Sequence, residues 1–288
     1  MKGEQDLAYK LLALDIDGTL FSSKKYILPQ TKKMIRNVIK DGLLVTLATG
    51  RSYSFAKEIA KDLNIKIPII THDGALIANC LEQPLFISKL PNEIVQKMIE
   101  MITDFQLDFE LQQDPYSIIN VRYPWKNFFN TKSLSALKYK FVEYRSSKFI
   151  SNQDMLSYIK LNRIEPQKIS IVAENEKKIQ FIMKELLTKF HDQIRITYSG
   201  MGFEILPKDI SKAFGLKVLS SELGIDSTEI IAIGDNHNDI EMIEYAGLGV
   251  AMDNAPQKVK KLANYVTRSN DENGIAYVIQ RFYYSLKH

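Results

Sequence analysis

Two aspartates, Asp15 and Asp17, lie one residue apart directly after the first apolar run of the chain. In an extended segment, side chains at this spacing point to the same face. One carboxylate can hold a metal and attack an electrophile while the other transfers protons, and an attacking carboxylate can form an acyl phosphate. The pair is therefore a candidate for phosphoryl transfer, which also needs cations and hydrogen-bond donors around the phosphoryl oxygens.

Other predicted strands end in residues that supply such groups. Because ligands of an open parallel sheet bind beyond the carboxyl ends of its strands, these residues are expected at one edge. They are Thr49, Gly50 and Arg51, then His72, Asp73 and Gly74, and then Asp235, Asn236, Asn238 and Asp239. A single aspartate at such a position is more often a turn or helix-capping residue, but at least four acids on one predicted edge favour a shared site.

Crowded carboxylates resist ionisation unless a cation neutralises them. Oxygen-only ligands favour a hard metal, and Mg²⁺ is the usual choice when phosphate is also present. Lys212, at the start of a predicted helix, would add positive charge beside the helix dipole. The sequence therefore predicts a magnesium and phosphate site at the edge of a parallel sheet.

Short continuous apolar runs predict the strands that position these residues, because strands of a parallel sheet are buried on both faces. Runs beginning at Leu11, Leu43 and Ile67 alternate with helical stripes through Ile35 and Ile59. The C-terminal part repeats the pattern, with strands predicted over residues 229–233 and 248–252. Alternating strands and helices predict an α/β fold with right-handed crossovers.

The middle of the chain differs in composition. Its predicted strands are weaker and more alternating, and it is richer in lysine and aromatic residues. We therefore predict a parallel α/β domain formed by residues 1–84 and 198–288, interrupted by an inserted α+β domain at residues 85–197.

Composition excludes several classes of protein. The 288 residues are 45% hydrophobic and 25% charged, which is typical of a globular chain and excludes a disordered or collagen-like one. A single cysteine, Cys80, excludes an intrachain disulfide and indicates a reducing compartment. No apolar run approaches the ~18–20 residues of a membrane span, and residues 1–10 lack a signal-peptide core. A cytoplasmic location and no membrane partner are expected.

Four segments, in order, resemble the signature motifs of the haloacid dehalogenase superfamily of phosphatases. They are residues 15–20 (DIDGTL), 48–51 (ATGR), 211–213 (SKA) and 234–239 (GDNHND). Residues 73–75 (DGA), 203–207 (FEILP) and 252–255 (MDNA) are similar to the Cof-type subfamily. The resemblance implies a Rossmann-like parallel-sheet core with an inserted α+β cap of type C2B, which sets substrate specificity.

The same resemblance implies a Mg²⁺-dependent phosphatase that acts on small phosphorylated metabolites: a sugar phosphate, a nucleotide or a cofactor-type phosphomonoester. Asp15 would be the nucleophile and would form an aspartyl phosphate. Asp17 would be the general acid and then the general base. The other implied roles are Mg²⁺ binding by Asp15, Asp235 and the main-chain carbonyl of Asp17, phosphoryl binding by Thr49, Gly50, Lys212 and Asn238, and orientation of Lys212 or of a water on the metal by Asp239.

Two positions depart from the subfamily pattern. Asp73 stands where an asparagine is usual, and it adds negative charge near the expected phosphate site. It could weaken anion binding, be protonated or face elsewhere. Asp253 stands where a small residue is commoner.

Residues 116–148 carry seven Lys or Arg, one acid and eight aromatics, which makes this segment +6 in a chain of net charge +4. It could steer anionic metabolites to the site, stack a ring of the substrate, or be an ordinary lysine-rich surface.

Two alternative functions stay open: a phosphomutase of similar capped fold, and a non-catalytic module that binds nucleic acid through this basic aromatic segment. The intact set of metal and phosphoryl residues argues against the second alternative, so no nucleic-acid partner is expected.

Overall fold

In the computed structural model, a five-stranded parallel sheet carries the N- and C-terminal parts of the chain. The structure describes residues 9–120, 147–172, 175–198 and 202–285. The order of the strands across this sheet is β14-β13-β12-β1-β2. Their bounds are β1 Leu11–Leu14, β2 Leu44–Leu47, β12 Ile230–Gly234, β13 Leu248–Ala251 and β14 Tyr265–Val266. The predicted α/β class with a parallel sheet is confirmed.

Strand β1 shows why these runs are apolar throughout. Leu12 and Leu14 pack into the hydrophobic cluster on one face of the sheet, whereas Leu11 and Ala13 pack into the cluster on the other. All four residues are fully buried because helices cover both faces. The predicted strands over residues 229–233 and 248–252 lie within one residue of the observed ones.

Helices of the two terminal parts supply those covering layers. Residues of α1, α2 and α9 belong to the cluster on one face, and residues of α6 and α7 belong to the cluster on the other. The helix α8 packs beside α7 in a smaller cluster. The bounds are α1 Pro29–Lys40, α2 Tyr53–Leu63, α6 Lys212–Glu222, α7 Ile240–Tyr245, α8 Gln257–Leu262 and α9 Gly274–Ile279.

A second, six-stranded sheet is built mainly from the middle of the chain, in the order β10-β11-β9-β6-β7-β8. Its pairs are antiparallel except for the parallel pair of β7 and β8. Three helices share its hydrophobic cluster: α3 Asn92–Asp104, α4 Asn152–Leu161 and α5 Glu176–Phe190. The strands are β6 Asp108–Gln113, β7 Tyr116–Ile119, β8 Ser147–Phe149, β9 Lys168–Val172, β10 Ile194–Tyr198 and β11 Gly202–Pro207.

The strand β11 belongs to this six-stranded sheet although it follows residue 197, where the sequence places the end of the insertion. The division into core and cap stays a prediction. Strand β11 lies within the predicted core, residues 198–288, but pairs with strands of the predicted cap. Most of the basic aromatic segment, residues 121–146, lies outside the described residues.

The sequence predicts that the third apolar run, which begins at Ile67, pairs within the parallel sheet. The structure places it in another sheet. Strand β3 (Ile69–Thr71) pairs antiparallel with β4 (Leu76–Ala78), which pairs with β5 (Phe86–Ile87) in a small three-stranded sheet. A single parallel bridge joins Ile70 to Ala48, beyond the end of β2. The chain reverses between β3 and β4 because three successive residues, His72, Asp73 and Gly74, have positive φ angles.

Among the described residues, no helix combines the length and apolar character that crossing a bilayer requires.

The turn at Gly74 touches the start of α6. A Cβ atom at Gly74 would lie 2.2 Å from the carbonyl oxygen of Ser211, the residue that caps α6. The φ angle of Gly74 is +104°, which L side chains rarely adopt. Glycine at this position therefore allows the turn carrying Asp73 to approach the helix that begins with Lys212.

We predict that Gly74→Ala lowers the free energy of unfolding more than Gly42→Ala does. Both glycines have strongly positive φ angles, so both substitutions cost about 1–3 kcal/mol in backbone strain. Only the Cβ at residue 74 also overlaps a backbone atom, because nothing lies within 4 Å of the corresponding position at Gly42. Chemical denaturation of the two variants measures the difference, and equal losses would contradict a close approach at Gly74.

Candidate active site

Three carboxylates meet at the carboxyl ends of β1 and β12, the central adjacent strands of the parallel sheet. Asp15 follows β1, whereas Asp235 and Asp239 follow β12. One oxygen of each carboxylate lies within 4.8 Å of an oxygen of the other two. The pairing of these two strands thus brings together residues that are more than 200 positions apart in the chain.

Lys212 holds two of these carboxylates. Its Nζ donates hydrogen bonds of 2.6 Å to Oδ1 of Asp15 and 2.6 Å to Oδ1 of Asp239, and its side chain is 2% exposed. Burial alone would lower the pKa of Lys212, but the carboxylates of Asp15 and Asp239 outweigh it and raise the pKa well above its ordinary value. The lysine is therefore charged and compensates the crowded acids.

Both oxygens of Asp239 are engaged within the protein. Oδ1 accepts the bond from Lys212, and Oδ2 accepts the backbone N–H groups of Asp235 and Asn236, each at 2.9 Å. Asp239 is therefore hydrogen-bonded to Lys212 and to the loop after β12, and its oxygens are less available to a metal than those of Asp15 and Asp235.

The carboxylates of Asp15 and Asp235 are in an environment that disfavours two negative charges. Burial, followed for Asp235 by the nearby Asp239, raises the pKa of Asp235 to about 6. Burial also raises the pKa of Asp15 well above its ordinary value, and the Asp239 and Asp235 carboxylates add to that rise. Thr19 donates a 2.7 Å hydrogen bond to Asp235, and a Cβ at Gly18 would lie 2.2 Å from Asp235 Oδ2.

This donor set fits a hard divalent cation. The available atoms are carboxylate oxygens, and burial together with the neighbouring carboxylates keeps the pKa values of Asp15 and Asp235 raised although Lys212 lowers them. A cation such as Mg²⁺ prefers oxygen ligands and would remove the repulsion. The carboxylates predicted to bind metal, those of Asp15 and Asp235, have oxygens within 4.8 Å of each other, which is close enough to share one ion.

The carboxylate of Asp17 lies in a different electrostatic environment from that of Asp15. Arg51 donates from Nε to Oδ2 at 2.6 Å and from Nη2 to Oδ1 at 3.0 Å, and Lys25 Nζ donates to Oδ1 at 2.9 Å. Burial would raise the pKa of Asp17, but Arg51, assisted by Lys25, holds it well below its ordinary value. Asp17 is consequently ionised while these contacts persist.

The predicted phosphoryl-binding residues line one polar cavity. The hydroxyl of Thr49 accepts the N–H of Arg51 at 3.2 Å, and the side-chain amide of Asn238 donates to Asp73 at 2.9 Å. The cavity has a volume of about 350 Å³. Its lining includes Asp15, Asp17, Lys25, Thr49, Gly50, Arg51, Lys212, Asn236 and Asn238 from the residues around the parallel sheet, and Gln112, Lys168, Tyr198 and Glu204 from the six-stranded sheet.

Sequence reasoning missed Lys168. Its side chain is 1% exposed, and it contacts both Gly50 and Asp73 across the gap between the two sheets. In the sequence, a lysine at the start of a strand that also contains Ser170 looks like a surface residue. The available signal was the unexplained acid at Asp73, which needs a cation. The other departure, Asp253, is 59% exposed and pairs with Lys260.

A family model described as haloacid dehalogenase-like hydrolase matches residues 12–279. The chain belongs to the haloacid dehalogenase-like hydrolases. Stress response protein YhaX of Bacillus subtilis is 36% identical to this hydrolase over 282 residues, covering 96% of this chain and 94% of YhaX. The 5-amino-6-(5-phospho-D-ribitylamino)uracil phosphatase YitU of the same bacterium is 26% identical over 278 residues, covering 95% and 97%. A crystal structure of a haloacid dehalogenase-like hydrolase from Bacteroides thetaiotaomicron is 31% identical, has a TM-score of 0.79, and covers 95% of this chain and 99% of that one.

The family resemblance read from the four motifs is confirmed, and so is the prediction that the chain is an enzyme. The individual roles of its site residues stay predictions. The geometry brings Asp15, Asp235, Asp239 and Lys212 into one cluster and places Thr49, Gly50 and Asn238 on the wall of the adjoining cavity.

We predict that Lys212→Met lowers the free energy of unfolding by about 3–5 kcal/mol in the absence of divalent cations, because it leaves Asp15 and Asp239 buried without their ammonium. Lys208→Met is the matched control, since Lys208 is exposed and its ammonium lies 3.4 Å from a carboxylate oxygen of the exposed Asp192. Its expected effect is within about 0.5 kcal/mol. Urea denaturation of both variants at pH 7 measures this, and similar losses would contradict the compensating role of Lys212.

Proposed function

We propose that this hydrolase is a Mg²⁺-dependent phosphatase that hydrolyses small phosphorylated metabolites through an aspartyl-phosphate intermediate. The observation that carries the proposal is the position of the Asp15 carboxylate, which lies between Lys212 and Asp235 and lines the polar cavity. Membership of the family supports it, and so does the relative YitU, whose name is that of a phosphatase acting on a phosphorylated ribitylaminouracil.

The two carboxylate oxygens of Asp15 differ in their hydrogen bonds. Oδ1 accepts the bond from Lys212, whereas Oδ2 takes no hydrogen bond from the residues that the structure describes. In the first step, Oδ2 forms a bond to phosphorus while the ester P–O bond breaks, and the departing oxygen takes a proton from the carboxyl group of Asp17. In the second step, a water oxygen bonds to phosphorus, the aspartyl O–P bond breaks, and the carboxylate of Asp17 accepts a proton of that water.

The environment of Asp17 suits the second step as it stands, because its ion pairs with Arg51 and Lys25 keep it ionised. The first step needs the protonated form. Arg51 and Lys25 both line the cavity, so an arriving phosphate dianion competes with Asp17 for them. Loosening of these ion pairs removes the interaction that holds the pKa of Asp17 low, and Asp17 can then carry the proton for the departing oxygen.

Mg²⁺ would be held by the carboxylates of Asp15 and Asp235 and by the main-chain carbonyl of Asp17. When bound, it neutralises charge on the carboxylates and on the phosphoryl oxygens. The hydroxyl of Thr49, the N–H of Gly50, the amide of Asn238 and the ammonium of Lys212 donate hydrogen bonds to those oxygens. These donors hold the phosphoryl group in line with Asp15 and stabilise the charge that spreads over it.

The cavity favours a small and polar leaving group. Its volume of about 350 Å³ has room for a phosphoryl group with a sugar-sized or nucleoside-sized remainder. The six-stranded sheet contributes Gln112, Tyr198 and Glu204 to the lining, and these side chains offer hydrogen bonds to hydroxyl or amide groups. A sugar phosphate, a nucleotide or a cofactor-type phosphomonoester has the chemistry that this wall would recognise.

We predict that Asp15→Asn lowers the rate of aryl phosphate hydrolysis by at least about 10³-fold, because the amide cannot act as the nucleophile. Circular dichroism should show an unchanged fold. Asp253→Asn is the matched control, since it removes an exposed aspartate and should leave the rate unchanged. Full activity of the Asp15 variant would exclude Asp15 as the attacking group.

We predict that the affinity for Mg²⁺ is at least about tenfold weaker at pH 5 than at pH 7.5. The pKa of Asp235 is about 6 without a cation, so protons compete with Mg²⁺ for this carboxylate as the pH falls below that value. Calorimetric titration of Mg²⁺ at the two pH values measures the change. In Asp235→Asn the affinity should be weak at both, and an identical affinity of the unmodified protein at both would count against Asp235 as a ligand.

A further inference from the structure

Lys168 begins β9 of the six-stranded sheet, yet its ammonium lies against residues around the parallel sheet. Its three N–H groups are all used: Nζ donates to the carbonyl oxygen of Gly50 at 2.7 Å, to Asp73 Oδ2 at 2.9 Å and to Glu204 Oε1 at 2.9 Å. The residue is 1% exposed. A lysine buried so completely is rare unless its charge is paired. The contacts of Lys168 with Gly50 and Asp73 exist only while the two sheets face each other.

Asp73 connects Lys168 to the proposed phosphoryl site. Its Oδ1 accepts the side-chain amide of Asn238 at 2.9 Å, and its backbone N–H donates to the carbonyl oxygen of Thr49 at 3.0 Å. An ionised carboxylate only accepts hydrogen bonds, so it forces the NH₂ group of Asn238, and not its oxygen, to face Asp73. The second N–H of that amide remains for an oxygen in the cavity.

The charge of Asp73 needs compensation at this place. Burial would raise the pKa of Asp73, but Lys168, followed by Lys212, holds it well below its ordinary value, so Asp73 is anionic. A Cβ at Gly50 would lie 2.8 Å from Asp73 Oδ2 and 3.1 Å from Lys168 Nζ, which shows how closely both groups approach the Gly50 backbone. Without Lys168, Asp73 would lose its nearest cation while it stays hydrogen-bonded to Asn238, which lines the proposed phosphate site.

A second contact from the six-stranded sheet holds the same segment. Asp114, between β6 and β7, accepts the backbone N–H groups of Tyr53 and Ser54 at 2.8 and 3.2 Å and the Ser54 hydroxyl at 3.0 Å. The segment from Gly50 to Ser54 is therefore fixed near its start by Lys168 and near its end by Asp114. The contact at Asp114 orients the backbone and leaves the charge of Asp73 to Lys168.

We propose that Lys168 is a positioning residue of the phosphoryl site: with the two sheets in contact, its ammonium neutralises Asp73 and fixes Gly50 and Asn238 in the arrangement that binds phosphoryl oxygens. The inference rests on the proposed function, because it assumes that a phosphoryl group occupies this cavity. Lys168 acts through Asp73, since all three of its donors are engaged by protein atoms. Phosphate binding and contact between the sheets then stabilise each other by the same free energy.

The test is the dissociation constant of inorganic phosphate, measured by calorimetry with saturating Mg²⁺. Lys168→Met should weaken phosphate binding by at least about tenfold, because it leaves the Asp73 anion without the ammonium that it shares with Glu204. Adding Asp73→Asn to that variant should restore the affinity to within about threefold of the unmodified protein, since a neutral amide needs no ammonium and still accepts the bond from Asn238. Glu204 loses the same ammonium, but burial already raises the pKa of Glu204, so this carboxyl group becomes neutral by taking up a proton. The matched control is Lys97→Met, an exposed lysine of α3, which should bind phosphate normally.

The KM for an aryl phosphate should follow the same order, with a rise in Lys168→Met that Asp73→Asn reverses. A merely structural role for Lys168 predicts no such rescue, so equal weakening in the single and the double variant would overturn the inference. Unchanged affinity in Lys168→Met would overturn it as well.

If Lys168→Met does not fold, the double variant is compared with Asp73→Asn alone. Their phosphate affinities should agree within about threefold, and a gap of tenfold or more would overturn the inference. If the unmodified protein neither binds phosphate nor hydrolyses phosphomonoesters, the proposed function itself fails. Normal phosphate binding and hydrolysis by the unmodified protein, together with an unaffected Lys168→Met, would refute only the role of Lys168.

Discussion

The buried ammonium of Lys212, shared between Asp15 and Asp239, is the interaction on which the arrangement of the site depends. Three acids converge where β1 and β12 end, and each of them would otherwise face the others at low dielectric. These strands lie at the point where the chain order reverses across the sheet, with β2 on one side and β13 on the other. Such a reversal opens a crevice at the carboxyl edge of the sheet, where the site lies. Lys212 compensates the negative charge of the carboxylates that meet there.

Close backbone approaches bring the loops near enough for these side chains to meet. At Gly18 there is no room for a Cβ beside the carboxylate of Asp235, and at Gly74 there is none beside the carbonyl of Ser211. Both residues also have positive φ angles. The glycines thus meet a steric requirement and a conformational one at once, and they place the loop after β1 and the turn after β3 against segments from the C-terminal part of the chain.

Much of the fold and of the site is predictable from the sequence because its determinants are local. Strand β1 is apolar at every position because both faces are covered, and the acids that follow β1 and β12 share an edge because the strands are parallel. The pairing of β3 with β4 was not predictable, since it depends on positive φ angles at the turn around Asp73. Lys168 was missed for a related reason: its role depends on how two separate sheets face each other, and periodicity within one strand carries no such information.

The acid at position 73 shows how one departure from the subfamily pattern constrains a distant residue. An asparagine there would leave the charge balance of the site unchanged, whereas Asp73 adds a negative charge beside the proposed phosphate position. That charge is acceptable only while Lys168 reaches it from the other sheet at 2.9 Å. Separation of the sheets would take this ammonium away from Asp73, which is hydrogen-bonded to Asn238 of the proposed phosphoryl site, so substrate binding and closure would be linked by electrostatics as well as by shape. Under the proposed role of Lys168, Asp73 would support phosphate binding in the closed arrangement and oppose it in an open one.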